Sequence, residues 1–224
     1  MPRQVAALVR HGVYDQPRGV PSAHLPHPLT DEGQVLARAA GDELQAMAAE
    51  ARLSIDPVVD ASQLLRAWQT ARGLATRLEE LGAGPFTVTE HVALAERSVG
   101  SVANLTLDEI DRVVERDPRL EVLPRGWKSV STFRAPFPGA ESLLEAGARV
   151  AAHVDARMAV LDASDDRMVV FVGHGGAFRH AAVHLGVLRL DEVAGLSMFH
   201  CRPVLLERHE DGSWSHFLGE WKIR

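Results

Sequence analysis

The chain has 224 residues, of which 46% are hydrophobic and 24% charged, proportions of a globular protein that exclude a fibrous repeat or a long disordered tract. A formal net charge of −6 excludes the overall basic footprint of a non-specific nucleic-acid binder, while allowing a local cationic cluster. The single cysteine, Cys201, excludes an intramolecular disulfide and a multi-thiolate zinc site, and no apolar run approaches the roughly 20 residues of a membrane helix, so a soluble, cytoplasmic chain is expected.

Val5-Ala6-Ala7-Leu8-Val9 is a continuous apolar run that stops at Arg10-His11-Gly12, and unbroken apolarity predicts a strand buried on both faces. Residues 13–28 contain Pro17, Pro21, Pro26 and Pro28, which forbid a regular helix or central strand and predict a long, stiffened loop of functional weight. Thr30 is the expected N-cap of a helix with Asp31 and Glu32 in its first turn, where acids suit the dipole. Its apolar stripe is Leu36, Ala40, Leu44, Met47 and Ala51. Asp56-Pro57 is expected to break the chain before a short strand at Val58-Val59. Ser62 is expected to cap a second helix with the stripe Leu64, Ala67, Ala71, Leu74, Leu78 and Leu81, closed by Gly82.

Residues 86–89 read as a strand, and 105–116 as a helix stopped by Pro118. The stretch 118–139 is rich in proline and glycine and reads as a loop over the sheet rather than a domain boundary. A long helix is expected over 141–161, the clearest strand over 168–172, and a helix over 177–185. A hairpin of residues 204–206 and 214–218, turned at Asp211-Gly212, closes the chain. Strands alternating with helices predict a three-layer α/β/α architecture, with a mostly parallel central sheet and helices on both faces, in one domain over residues 1–224.

Two of these strands end in histidine, at Arg10-His11-Gly12 and at Gly173-His174-Gly175. In open α/β sheets ligands bind outside the carboxyl ends of the strands, and the flanking glycines let backbone and ligand approach closely. Two unrelated surface histidines is the plainer alternative, but a repeat of the pattern on two core-type strands weighs against it. Arg10, at the end of a buried strand, and Arg66, near a helix start, supply planar forks matched to phosphate oxygens. Other histidines are weaker candidates. His180 and His184 have the i, i+4 spacing of a zinc pair, but Ala181 stands where a zinc protease needs its Glu. His24 and His27 flank Pro26 as loop-lining residues, and the sequence offers no partner for His153, His200, His209 or His216. Trp68 reads as core or cleft wall, and there is no G-x-S-x-G elbow, P-loop or G-x-G-x-x-G.

Six segments in order carry a resemblance. They are Leu8-Val9-Arg10-His11-Gly12, Pro28-Leu29-Thr30-Asp31-Glu32-Gly33, the run from Ser62 to Ala71, the run from Leu94 to Gly100, Pro138-Gly139-Ala140-Glu141-Ser142, and the run from Val170 to Gly176. Together they resemble the blocks of the histidine phosphatases, the phosphoglycerate mutase-like superfamily. The resemblance implies that His11 attacks phosphate and becomes a phosphohistidine. It implies that Arg10, Arg66, His174 and Gly175 hold the phosphate oxygens, and that Glu96 protonates the leaving oxygen and later activates water. Arg10 and Arg66 are expected to lower the pKa of His11 and keep it neutral. No metal and no cofactor is required. For Glu96, pairing with Arg97 or capping a turn is the structural alternative.

The departures from the family point to a phosphatase. Family mutases carry a substrate loop and an "ERxYGxLxGxNK" block, whereas this chain reads Val13 to Gly19 and Glu96-Arg97-Ser98-Val99-Gly100-Ser101-Val102-Ala103-Asn104 in those places. The loop Asn of many members has no counterpart, and Arg18, Ser22 and His24 are the candidate replacements. The expected activity is therefore a metal-independent phosphomonoesterase acting on a small-molecule phosphomonoester or a phosphoprotein, with no nucleic-acid or membrane partner. A cofactor-dependent phosphoglycerate mutase and a non-catalytic phosphate-binding scaffold are the alternatives.

Overall fold

A computed structural model describes residues 2–21, 23–161 and 165–224. In chain order the elements are β1 (Gln4–Arg10), α1 (Asp31–Ala51), β2 (Ser54–Ser62), α2 (Leu65–Glu80), β3 (Thr87–His91) and α3 (Leu107–Arg116). There follow α4 (Leu143–Ala159), β4 (Arg167–Gly173), α5 (Gly175–His184), β5 (Leu196–Ser197), β6 (Pro203–Arg208), β7 (Trp214–Leu218) and β8 (Lys222–Ile223). Six strands form one sheet in the order β3-β2-β4-β1-β6-β7, while β5 and β8 make a small separate ribbon. The four strands β3, β2, β4 and β1 run parallel, and β6 and β7 are added antiparallel. This is the expected three-layer arrangement, and among the described residues no helix is long and apolar enough to cross a membrane.

The unbroken apolarity of β1 has the expected cause. Val5, Ala7 and Val9 enter the core shared with α1 and α2, whereas Ala6 and Leu8 enter the core shared with α4 and α5. The adjacent β4 divides the same way, with Met168, Val170 and Val172 on one side and Val169 and Phe171 on the other. A third apolar cluster, built from Val102, Ile110, Val114, Trp127 and Phe137, also takes in Ala23 of the proline-rich loop. That cluster packs α3 and the irregular stretch after it against the loop following β1.

Helix α1 starts where expected, with Thr30 Oγ1 accepting from Gly33 N–H. Its buried stripe is rotated from the expected one. Ala37, Ala40, Gly41, Leu44 and Ala48 are buried, while Leu36, Met47 and Ala51 are half-buried flanks. Small residues on the contact line let α1 and α2 approach closely, so the bulkier ones are displaced to its rim. Gly33 also makes room for the chain: a Cβ there would lie 1.9 Å from Val13 O, so only glycine lets the loop after β1 cross the start of α1.

Asp56-Pro57 does not break the chain. β2 runs through it with a bulge between Ile55 and Val59, where the exposed Pro57 needs no ladder partner and Asp56 Oδ1 accepts from Val58 N–H. Ser62 does not cap α2 either. It ends β2, the cap position is Leu64 with no side-chain bond, and Leu81 lies exposed beyond the helix. The helices expected over 105–116, 141–161 and 177–185 occupy Leu107–Arg116, Leu143–Ala159 and Gly175–His184. Thr106 and Ser142 form capping boxes with Glu109 and Glu145, which fix two of those starts. The closing hairpin turns at Asp211-Gly212 as expected, with Gly212 at φ 81°.

Candidate active site

β1 and β4 are parallel neighbours with Arg10 opposite Gly173, so both glycine-flanked histidines arrive at the carboxyl edge of the sheet together. The ring centroids of His11 and His174 are 5.1 Å apart, and the two residues are 2% and 0% exposed. His11 Nδ1 lies 2.8 Å from the carbonyl oxygen of Gly12. A carbonyl only accepts, so Nδ1 carries the proton and Nε2 keeps its lone pair. Burial, then the charges of Arg66 and Arg10, hold the His11 pKa well below the usual imidazole range. The expected effect of the arginines is present, but desolvation leads. His200, for which the sequence offered no partner, donates from Nδ1 to the His11 carbonyl at 2.7 Å. Burial and Arg10 push its pKa down to about 4.

His174 is held by two partners. Arg66 Nη2 lies 3.2 Å from His174 Nδ1, and Ser62 Oγ lies 2.9 Å from His174 Nε2. A guanidinium only donates, so Nδ1 accepts, Nε2 carries the proton, and Ser62 Oγ receives it. Burial, then Arg66 and His11, also keeps this pKa well below the usual value. Arg66 is fully buried and gives its other donors to the loop after β1, through Nη2 to Ala23 O and Nη1 to Leu25 O. Its guanidinium lies 4.6 Å from the Tyr14 ring centroid, and Nε has no hydrogen-bond partner. Arg10 donates from Nη1 to Met198 O.

Glu96 comes from the loop after β3 and caps a helix in another element. His174, at the N-cap of α5, makes no side-chain cap bond. The Glu96 carboxylate fills that place, accepting at Oε1 from Ala177 N–H and at Oε2 from Gly176 N–H. Oε1 also accepts from Arg97 N–H. A Cβ at Gly176 would lie 2.8 Å from Glu96 Oε1, so the glycine makes room for the carboxylate.

These groups border a cavity of about 310 Å³. Arg10, His11, Glu96 and Gly175 are on its wall, whereas Arg66 and His174 are not, the His174 ring lying next to that of His11 and Arg66 bonding to it. The loop candidates are placed differently. Arg18 is exposed and off the wall, because the loop turns back on itself through the Tyr14–Leu29 bridge and presents Gln16, Val20 and Pro21 instead. His24 donates from Nε2 to the backbone carbonyl of Glu96 at 2.9 Å, so it clamps the segment carrying Glu96. Ser22 lies outside the described residues.

The cavity also holds cations that the sequence did not single out: Arg97, Lys128, Arg179 and Arg224. Arg97 is buried against Trp127 with Nη1 unpartnered, and its place next to Glu96 was the available signal. Arg179 follows Gly175 by one helical turn and donates to its carbonyl, with its pKa lowered to about 10 by burial. Lys128 and Arg224 arrive from distant segments, and no local pattern marks them. His180 also lines the cavity, donating from Nδ1 to Gly176 O and meeting Ser131 Oγ at Nε2. Its candidate zinc partner His184 turns instead to Leu144 O. His209 and His216 find their partners within the hairpin region, at Ser215 Oγ and Gly219 O.

The family model for the histidine phosphatase superfamily (branch 1) matches residues 6–220. Among curated proteins, the chain is 29% identical to the 2,3-bisphosphoglycerate-dependent phosphoglycerate mutase of Parvibaculum lavamentivorans, over 82% of this chain and 80% of that protein. Among solved structures it is similar to "Mycobacterial hydrolase 1", with TM-score 0.70, 25% identity and 97% of each chain covered. A mycobacterial glucosyl-3-phosphoglycerate phosphatase shares the fold, with TM-score 0.66 at 23% identity over 99% of this chain and 97% of that one. A match that leaves only the ends of the chain outside it shows that the protein belongs to the histidine phosphatase superfamily (branch 1).

Proposed function

We propose that the protein is a phosphomonoesterase that works through a phosphohistidine on His11. The protonation of His11 carries this reading: with Nδ1–H committed to Gly12 O, the ring keeps a free lone pair at Nε2, on the wall of a cavity rich in cations. In the first half-reaction Nε2 attacks phosphorus, the P–N bond forms, and the ester P–O bond breaks. Glu96 gives the leaving oxygen its proton. In the second half, Glu96 takes a proton from water as the water oxygen attacks phosphorus. The P–N bond breaks, inorganic phosphate leaves, and neutral His11 is restored.

Arg10 and the N–H of Gly175 on the cavity wall hold the transferring oxygens, and the charge of Arg66, oriented by the neutral His174, adds to the positive field, the main need of a loose phosphoryl transition state. Arginine charge does this work in the scheme, so chelation of divalent ions is expected to leave turnover intact. The unpartnered Arg97 Nη1 and the nearby Lys128 favour a small phosphomonoester with a second anionic group.

The mutase names of the curated relatives favour a second reading, phosphoglycerate mutase. The sequence at 96–104 weighs against it, because it lacks the mutase block. The test is phosphate release from an aryl phosphate in EDTA, followed by phosphoglycerate interconversion with and without 2,3-bisphosphoglycerate. Release in EDTA supports the phosphatase, and interconversion dependent on the bisphosphate with no net release supports the mutase. Neither activity leaves a phosphate-binding scaffold.

A further inference from the structure

We propose that Asp60, His91 and His153 form a binding site for a divalent metal ion of the zinc type. None of the three lines the cavity at His11, and the inference is independent of the function proposed above. Asp60 and Ser62 share one face of β2 by the two-residue period of a strand, and His91, the last residue of β3, is the register partner of Ser62. Helix α4 covers this face and brings His153 over it, edge-on to Phe171. His153 Nε2 lies 2.8 Å from Asp60 Oδ2, and His91 Nε2 lies 3.5 Å from Asp60 Oδ1. The two imidazoles are 4.4 Å apart between centroids, and one ligand atom from each residue falls within 4.8 Å of the others. Among the described residues this is the one such cluster of three.

Two features of the cluster favour a cation. The Asp60 side chain is only 2% exposed, yet its ion-pair partners among the described residues are these two imidazoles alone. Its neighbours are treated differently: Asp56 is paired with Arg157 and Arg167, and Glu141 with Arg149. A buried carboxylate is costly without a positive partner. His91 Nε2 is also buried and has no hydrogen-bond partner, although it points at the same carboxylate. A divalent ion between the three groups would satisfy both.

The donor set selects the ion. Two imidazole nitrogens and one carboxylate oxygen suit Zn²⁺ and its neighbours in the first transition row, and do not suit Mg²⁺ or Ca²⁺. Bonds of about 2.0–2.1 Å in a tetrahedral shell set ligand atoms roughly 3.4 Å apart, so His91 Nε2 already lies near that spacing from Asp60 Oδ1, whereas His153 Nε2 must move out from 2.8 Å to admit the ion. The imidazole side chains are 29% and 17% exposed, so an ion can enter and water can complete the shell. Once bound, the ion would join the end of β3 to β2 and α4. The segment after His91 leads to Glu96 and is already anchored by Arg149 at the carbonyls of Val92, Ala93 and Ala95.

The test is Zn²⁺ titration by calorimetry into untagged, chelator-stripped full chain in phosphate-free buffer, because phosphate precipitates Zn²⁺, with variants at His91 and His153 separating this cluster from the cavity at His11, which neither residue lines. The expected result is one Zn²⁺ per chain and a Tm that rises with free Zn²⁺. His91→Gln and His153→Gln should each weaken binding by at least about 100-fold, beyond the cost of losing a mere supporting contact, and abolish the Tm rise. X-ray absorption of the wild-type Zn²⁺ complex gives a reading that needs no variant, and should show two imidazoles with oxygen ligands. The proposal is overturned if wild type binds Zn²⁺ no tighter than millimolar, if folded variants bind with wild-type affinity, or if the absorption spectrum shows no imidazole.

Discussion

Replacing Ser62 by alanine removes the acceptor of the His174 Nε2 proton. Both residues are fully buried, so water cannot take its place. Leaving a buried donor unpaired costs about 1–3 kcal/mol. The hydroxyl also accepts from the N–H of the half-buried Leu64 at 3.2 Å, a long bond whose loss adds less. A change of about 2 kcal/mol in a chain of this size lowers Tm by roughly 4–8 °C. The assay is urea and thermal unfolding of wild type, Ser62→Ala, His174→Ala and the double variant in phosphate-free buffer. If the cost arises from the stranded His174 proton, Ser62→Ala should be nearly neutral once His174 is gone, giving a coupling of about 1–2 kcal/mol. A cost below about 0.5 kcal/mol in the wild-type background, or an equal cost in both backgrounds, refutes the assigned tautomer and the chain from Arg66 through His174 to Ser62.

Stability should fall as the medium is acidified below about pH 6.5, because His11, His174 and His200 stay neutral in the fold while their unfolded counterparts take up protons. Each contributes up to about 1.4 kcal/mol per pH unit between the unfolded pKa and its own lowered value, so urea midpoints should drop from pH 7.5 to pH 5.5, and equal midpoints would contradict the burial of neutral imidazoles. Vanadate and phosphate should raise Tm by binding the native state alone, and Arg66→Ala should reduce that rise in a thermal-shift titration. The same variant should lower the ligand-free Tm, since Arg66 ties down the carbonyls of Ala23 and Leu25. Glu96→Gln should slow phosphorylation by an alkyl phosphate by about 10²–10⁴-fold, and by an activated aryl phosphate much less. Equal slowing in rapid-quench kinetics would reduce Glu96 to its capping role on α5.

How far the sequence can be read depends on where each signal sits. β1 and β4 are visible because a strand buried on two faces must be apolar throughout, and their histidines because a motif at a strand end is local. The rotated stripe of α1 is hidden, since a periodicity count favours large residues while close helix contact favours Ala37 and Gly41. Ser62 looks like a cap because a serine before a helix usually is one, and only the tertiary structure shows its hydroxyl turned to His174. Residue type alone puts forward Arg18 and His24, but the path of a proline-rich loop decides which side chains reach the cavity. Glu96 as the cap of α5, and His153 as the partner of Asp60, link positions 81 and 93 residues apart, beyond any local pattern.

The central claim is that phosphate becomes bonded to His11 during turnover. Rapid-quench mixing with an activated aryl phosphate, alkaline quenching to preserve the acid-labile P–N bond, and peptide mass spectrometry read this directly, with Glu96→Gln used to let the intermediate accumulate. The expected result is a phosphorylated peptide carrying the modification on His11, formed at least as fast as steady-state turnover, with His11→Ala retaining less than about a tenth of wild-type activity. Turnover without covalent phosphate, or with phosphate on another residue, would contradict the account.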